Sequence, residues 1–230
     1  MPLTTVLRGL VDLLAPRRCA ACDLELAPDE GIGDVGDPAG FCEACAPLLE
    51  ALDGAEARHA AYRYGGPLAD AIRRFKYGGQ AELAPVLGRL MAPRARALAG
   101  RLDAVAPVPL HPRRLRERGF DQASLLAAAL SEELGVPRRL DLVVRARATV
   151  PQASLDRPAR LANVDGAFEA RLAARGLVVL VVDDVRTTGA TAAAVSAALL
   201  DAGARAAHSL ALALADGPAL RGGGPAERRP

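Results

Sequence analysis

The sequence predicts an α/β fold, a doubly wound and mainly parallel sheet, with a small cysteine module at the N-terminus. Three observations predict it. Leu177–Val182 is a continuous apolar, β-branched run of the kind found in a strand buried on both faces. A helical stretch, Gly189–Leu200, and a second apolar run, Ala206–Ala213, follow it, so strand, helix and strand alternate as in a parallel sheet. Four cysteines stand at 19, 22, 42 and 45, in a region rich in Gly, Pro and acids that lacks a long apolar period.

At 230 residues the chain holds one full α/β core and a small appendage, so one main site is expected. Residues 1–55 are assigned to an N-terminal helix and the cysteine module, 56–215 to the main domain and 216–230 to a disordered tail. The apolar stretch Leu3–Leu14 is broken by Arg8 and Asp12 and is too short to span a bilayer. It also lacks a basic leader and a small-residue cleavage site, so it reads as an amphipathic helix of a cytoplasmic protein. The net charge of +2 and the absence of a basic run with interleaved aromatics argue against duplex DNA binding.

Further along, Leu68–Lys76 and Ala81–Leu98 read as helices, and Asp103–Pro109 as a short apolar strand. Asp121 is a good N-cap for a helix to Leu134, which Gly135 and Pro137 stop. Leu140–Arg145 is a strand candidate. Ala146–Asn163 has no period and reads as an active-site cover. Gly203 ends the helix that begins near Gly189.

In an open α/β sheet ligands bind beyond the carboxyl ends of the strands. There the chain places Asp183 and Asp184, then Thr187, Thr188, Gly189, Ala190 and Thr191 at a helix start. Loop amides backed by a helix dipole suit a phosphate, Gly189 permits close approach and the threonines add donors. The two carboxylates suit the vicinal hydroxyls of a ribose, so Leu177–Thr191 reads as a seat for a phosphorylated ribose. A nucleotidase strand would need a G-x-x-x-x-G-K-[ST] partner, but Lys76, the one lysine, precedes Tyr77. A phosphoacceptor receiver would need more strands downstream than the chain has. A buried strand followed by acidic N-caps is the plain structural alternative, and propensity alone would not select Asp-Asp-x-x-Thr-Thr-Gly-x-Thr.

These residues resemble the phosphoribosyl diphosphate (PRPP) motif of type I phosphoribosyltransferases. The chain as a whole resembles the ComF family, the competence-associated members of that group. The likeness runs through the Cys pairs, Arg74–Gly78, Pro107–Leu110, Arg118–Ala123, Gln152, Asn163–Phe168 and the PRPP loop. It implies the type I phosphoribosyltransferase fold, Mg²⁺-PRPP as ligand and transfer of ribose 5-phosphate to an unknown acceptor, with Asp183 and Asp184 steadying the cationic ribose. It places the diphosphate loop at the end of the first core strand, at Pro109, Leu110, His111 and Pro112. Arg113, Arg114, Arg116 and Arg118 lie near, and Arg118, beside Gly119, is the one expected to point inward. The competing picture is a solvated basic loop. His111 can donate to diphosphate, move a proton, or simply be exposed.

Lys76 is the exception in a chain that otherwise uses Arg for every basic position, which suggests a site role for a compact ammonium. The family pattern usually has Asn where this chain has Asp121. The two are equivalent as caps, but a carboxylate would repel a phosphate that an amide could bind. The resemblance also suggests a DNA-uptake helicase as partner. The alternative to an enzyme is a PRPP- or nucleotide-binding module without turnover, docking that helicase or single-stranded DNA.

Cys19-x-x-Cys22 and Cys42-x-x-Cys45, nineteen residues apart, have the spacing of a zinc ribbon, with four thiolates for structural zinc and no open position for catalysis. Two disulfides or a redox pair would suit a cytoplasmic chain poorly.

Overall fold

The computed structural model describes residues 17–26, 39–98, 102–146 and 166–215. The expected N-terminal helix Leu3–Leu14, the 147–163 cover with Gln152 and Asn163, and the 216–230 tail lie outside the described residues.

Four strands form one parallel sheet in the order β1-β6-β5-β2: β1 (Ala60–Arg63), β2 (Ala104–Pro107), β5 (Val178–Arg186) and β6 (Ala206–Leu214). Two short strands, β3 (Val143–Arg145) and β4 (Phe168–Ala170), pair antiparallel beside it. The helices are α1 (Gly66–Tyr77), α2 (Ala84–Leu98), α3 (Pro112–Arg118), α4 (Gln122–Leu134) and α5 (Ala190–Asp201).

The apolar run in β5 is continuous because helices cover both of its faces. Successive side chains of a strand alternate between faces. Leu180 and Val182 join the core under α1, α2 and α4, with Phe75, Leu87 and Leu126. Val179 and Val181 join the opposite core under α5, with Val195, Leu199 and Phe168. This is the doubly wound arrangement the sequence predicts. The cysteine-bearing segments belong to the first of these cores, where Cys19, Phe41 and Cys42 are buried with Ile72, Phe75 and Leu87.

Several elements differ from expectation. β1 has only four residues, and its strand identity comes from pairing with β6, through Ala60 to Ala211 and Tyr62 to Ala213. The strand leading into the 109–112 loop is therefore the second in chain order. Leu140–Arg145 shortens to Val143–Arg145, with Leu140 exposed. β5 does not stop at Val182: it continues through both acids to Arg186, because Asp183, Val185 and Arg186 still pair with Ala211, Ala213 and Leu214 of β6.

The Asp121 cap is as expected. Its Oδ1 accepts from the Ser124 amide at 3.1 Å, and Gly135, with φ 63°, closes the far end of α4. Among the described residues no helix is long and apolar enough to cross a membrane.

Candidate functional site

The loops after β2 and β5 lie side by side at the carboxyl edge of the sheet, because those strands pair in register and the Val108 amide still donates to the Val182 carbonyl at 2.9 Å. The acids sit at this edge, within the last turns of β5.

Strand alternation sends the two acids to different faces. Asp184 follows Leu180 and Val182 toward α1, where Lys76 Nζ meets Oδ1 at 2.9 Å with both side chains largely buried. Asp183 follows Val179 and Val181 toward α5, into a small cleft lined by His59, Arg186, Thr187, Gly189, Ala190, Thr191 and Ser209. The acids are thus not a side-by-side pair as the sequence suggested, yet their charges still interact. Burial first, and then Asp184, push the Asp183 carboxyl up to about 7, against the pull of Lys76.

Gly189 adopts the left-handed conformation at φ 78° and starts α5 without a side-chain cap. Thr188 Oγ1 accepts from the Ala190 amide at 3.3 Å. A Cβ built on Gly189 would not meet open space. It would collide with the Arg186 guanidinium, 2.7 Å from Nε, so Arg186 is a part of this loop that the motif did not single out.

The 109–112 segment leads straight into α3, which a basic run without apolar period concealed in the sequence. His111 Nδ1 accepts from the Arg113 amide at 3.1 Å and caps the helix, so the neutral ring carries its proton on Nε2. Burial, then Arg145 and Arg114, keep His111 below its ordinary pKa. Arg145 reaches in from β3, donates to the Pro109 carbonyl at 3.4 Å and lies over the Phe168 ring. Sequence reasoning passed over it because only the β3–β4 pairing brings it near. Leu110 is tied in by its backbone, which hydrogen-bonds to Asp121.

Of the neighbouring arginines, Arg113 turns outward to Glu117 at 2.8 Å. Arg118, at the end of α3 closed by Gly119 (φ 78°), turns toward α4 and the exposed Tyr77: it donates to Gln122 Oε1 at 2.8 Å and to Tyr77 Oη at 3.4 Å, with its guanidinium over the Tyr77 ring. Gln122 is fully buried, and its Nε2 has no partner among the described residues.

Asp121 stands between these parts. Burial raises its pKa, backbone donors including Ser124 and Leu110 oppose the rise, and the charge of Asp184 adds to it. Asp121→Asn is expected to keep the cap and relieve the repulsion. Its stability in denaturant should match or exceed the wild type; a clear loss of stability would show that the carboxylate itself makes a needed contact.

In the N-terminal segments packed on α1, the Sγ atoms of Cys19, Cys22, Cys42 and Cys45 all lie within 4.8 Å of one another, and Cys22 and Cys42 are 3.7 Å apart. Tetrahedral zinc with Zn–S bonds of about 2.3 Å requires sulfurs roughly 3.8 Å apart, so the cluster fits a structural zinc site. All four are free thiols. Burial opposes the Cys19 thiolate, but backbone donors from Cys22, Cys42 and Ala21 bring it down to about 7, while burial and its neighbours push Cys45 up. Four crowded thiols cannot all ionise without a cation among them.

No family model matches the chain. It is 37% identical over 148 residues to DNA utilization protein YhgH of Escherichia coli (strain K12), covering 62% of this chain and 65% of that one. It is 35% identical over 136 residues to competence protein F of Haemophilus influenzae, covering 56% and 59%. The chain is thus similar to a DNA utilization protein and to a competence protein over more than half of its length. It spans somewhat less than two thirds of the length of these relatives. Among solved structures, a glutamine PRPP amidotransferase from B. subtilis, complexed with ADP and GMP, overlays with a TM-score of 0.38 at 20% identity, covering 62% of this chain and 27% of that one. Leishmania donovani UMP synthase gives 0.35 at 18%, covering 63% and 24%.

Proposed function

We propose that this protein is a ComF homologue that binds Mg²⁺-PRPP at the carboxyl edge of its sheet and transfers ribose 5-phosphate to an acceptor, in the service of DNA uptake or use. The observation that carries the reading is convergence. Lys76, Leu110, Asp121 and Asp184 come from four separate stretches of sequence and come together at one edge through the 2.9 Å Lys76–Asp184 ion pair, the Leu110 backbone donor to Asp121 and the charge of Asp184 felt at Asp121. The relatives' names, competence protein F and DNA utilization protein, support the DNA-related role.

In this reading the 187–191 loop takes the 5′-phosphate, and Pro109, Leu110, His111 and Arg118 face the diphosphate. As the C1′–O bond breaks, the bonding pair leaves with diphosphate and the acceptor's lone pair forms the new bond to C1′. Asp183 and Asp184 supply negative charge beneath the ribosyl cation, and Lys76 holds Asp184 in place. Magnesium, bound through oxygen ligands, would neutralise the departing diphosphate.

PRPP with Mg²⁺ should raise the melting temperature, because a ligand that binds only the native state stabilises it by mass action. At a hundredfold excess over Kd the gain is about 2.7 kcal/mol, or roughly 5–10 °C for a domain of this size. Calorimetry at millimolar PRPP checks the binding, and acceptor-dependent release of diphosphate checks the transfer. No binding to folded, zinc-loaded protein would end this reading. Binding without release under any acceptor would leave the non-catalytic module as the account.

A further inference from the structure

We propose that Arg186 is the specificity-determining residue of the 187–191 loop, a cation that selects a phosphorylated ribose over a bare one. The inference rests on the proposed function, which assigns this loop to a phosphoryl group, and goes beyond it by naming the residue that reads the charge.

The backbone of Arg186 is fixed. It is the last residue of β5, pairs with Leu214 of β6, and its carbonyl accepts from the Ala215 amide at 2.8 Å. The side chain folds back three residues along the chain and covers Gly189, filling the space a Cβ would need. A Cβ beneath it would force the guanidinium to shift, and the φ of 78° at Gly189 independently favours glycine.

The guanidinium is half-buried and, among the described residues, no carboxylate comes within ion-pair distance of it. Burial works against its charge, and the more distant Asp183 partly offsets that. His59, the other basic residue lining the cleft, is held below its ordinary pKa by burial and by Arg186 itself, which disfavours its charged form. Arg186 is therefore the permanent cation among the described lining residues; the rest of the lining is the carboxyl of Asp183, the hydroxyls of Thr187, Thr191 and Ser209, backbone and apolar groups.

The cleft has a volume of about 40 Å³, space for a few waters. A phosphoryl group cannot reach Gly189 while the guanidinium rests there, so it must displace Arg186 and meet it in doing so. A half-buried guanidinium with no ion-paired carboxylate among the described residues gains from a dianion, and its fork matches two phosphoryl oxygens. The arginine that covers the seat in the free chain thus becomes the partner of the phosphate that takes it.

The test is calorimetry with ribose 5-phosphate and with ribose, on wild type, Arg186→Met and Arg186→Lys, after denaturation curves establish that each is folded. Arg186→Met is expected to weaken ribose 5-phosphate binding by about 10- to 100-fold, the loss of charge-assisted hydrogen bonds, while ribose binding stays the same. Arg186→Lys should fall between, keeping the charge without the fork. Equal affinity of wild type and Arg186→Met for ribose 5-phosphate would overturn the inference and leave the proposed function standing. Tighter binding by Arg186→Met would also overturn it, because Arg186 would then only obstruct the seat. If the wild type binds neither ribose 5-phosphate nor PRPP, both readings fall together.

Discussion

Replacing Lys76 with methionine is expected to destabilise the protein by about 3 kcal/mol at pH 8, the cost of leaving a buried charge without its partner. Lys76 and Asp184 are only 15% and 14% exposed, so solvent does little to screen the loss. Without the ammonium, the repulsion of Asp184 with the charges of Asp183 and Asp121 is no longer offset at Asp184. The pH dependence follows from Asp183, whose carboxyl is raised to about 7 in the folded chain by burial and by Asp184. Between the ordinary carboxylate range and pH 7 the native state binds more protons than the unfolded state, so stability falls as pH rises through that window and levels off above it.

Lys76→Met removes the ammonium that pulls Asp183 down, so the decline should extend above pH 7 and the variant should recover part of its stability at pH 5. Urea denaturation at pH 5 and pH 8 measures both effects. The double variant Lys76→Met, Asp184→Asn should regain most of the loss, because it removes both charges and not one. A single variant within 0.5 kcal/mol of wild type at pH 8, a shift of the order expected at an ordinary surface position, would show that the pair is not coupled.

Which features could be read in advance follows from the range over which each is determined. The two-faced burial of β5 was legible because a continuous apolar run carries its own signal. Lys76 was legible as a compositional exception, and the Asp121 cap and the Cys spacing are local patterns. β1 was not, since Ala60–Arg63 carries no apolar run and becomes a strand only through β6. α3 was hidden because its stops and starts, His111 and Gly119, enclose an almost wholly charged segment. The facing of Asp183 and Asp184 to opposite sides depends on β5 extending to Arg186, and that depends on pairing with β6. The position of Arg186 over Gly189 is a side-chain conformation, which no sequence period encodes.

Removing zinc should have the other large effect, and it should reach beyond the cysteines. One equivalent of zinc per chain is expected, with Cys19, Cys22, Cys42 and Cys45 as ligands. The segments that carry them are tied to α1 by Arg74, whose guanidinium donates to the carbonyls of Cys19 and Ala21 at 3.1 and 3.3 Å, to Gln80 Oε1 at 2.8 Å and to Asp23. Cys19, Phe41 and Cys42 also share their core with Phe75 of the same helix. Losing the metal therefore uncovers one side of α1, the helix that delivers Lys76 to Asp184. A strong chelator, or Cys42→Ser, should cost about 4 kcal/mol and lower the melting temperature by roughly 10 °C, since metal binding and folding of such segments are one free energy. PRPP affinity should fall with it as Lys76 loses its support. Zinc below a tenth of an equivalent after metal-replete expression would contradict the assignment. Zinc loss with an unchanged melting temperature would show instead that the shared core around Phe75 holds the cysteine segments without the metal.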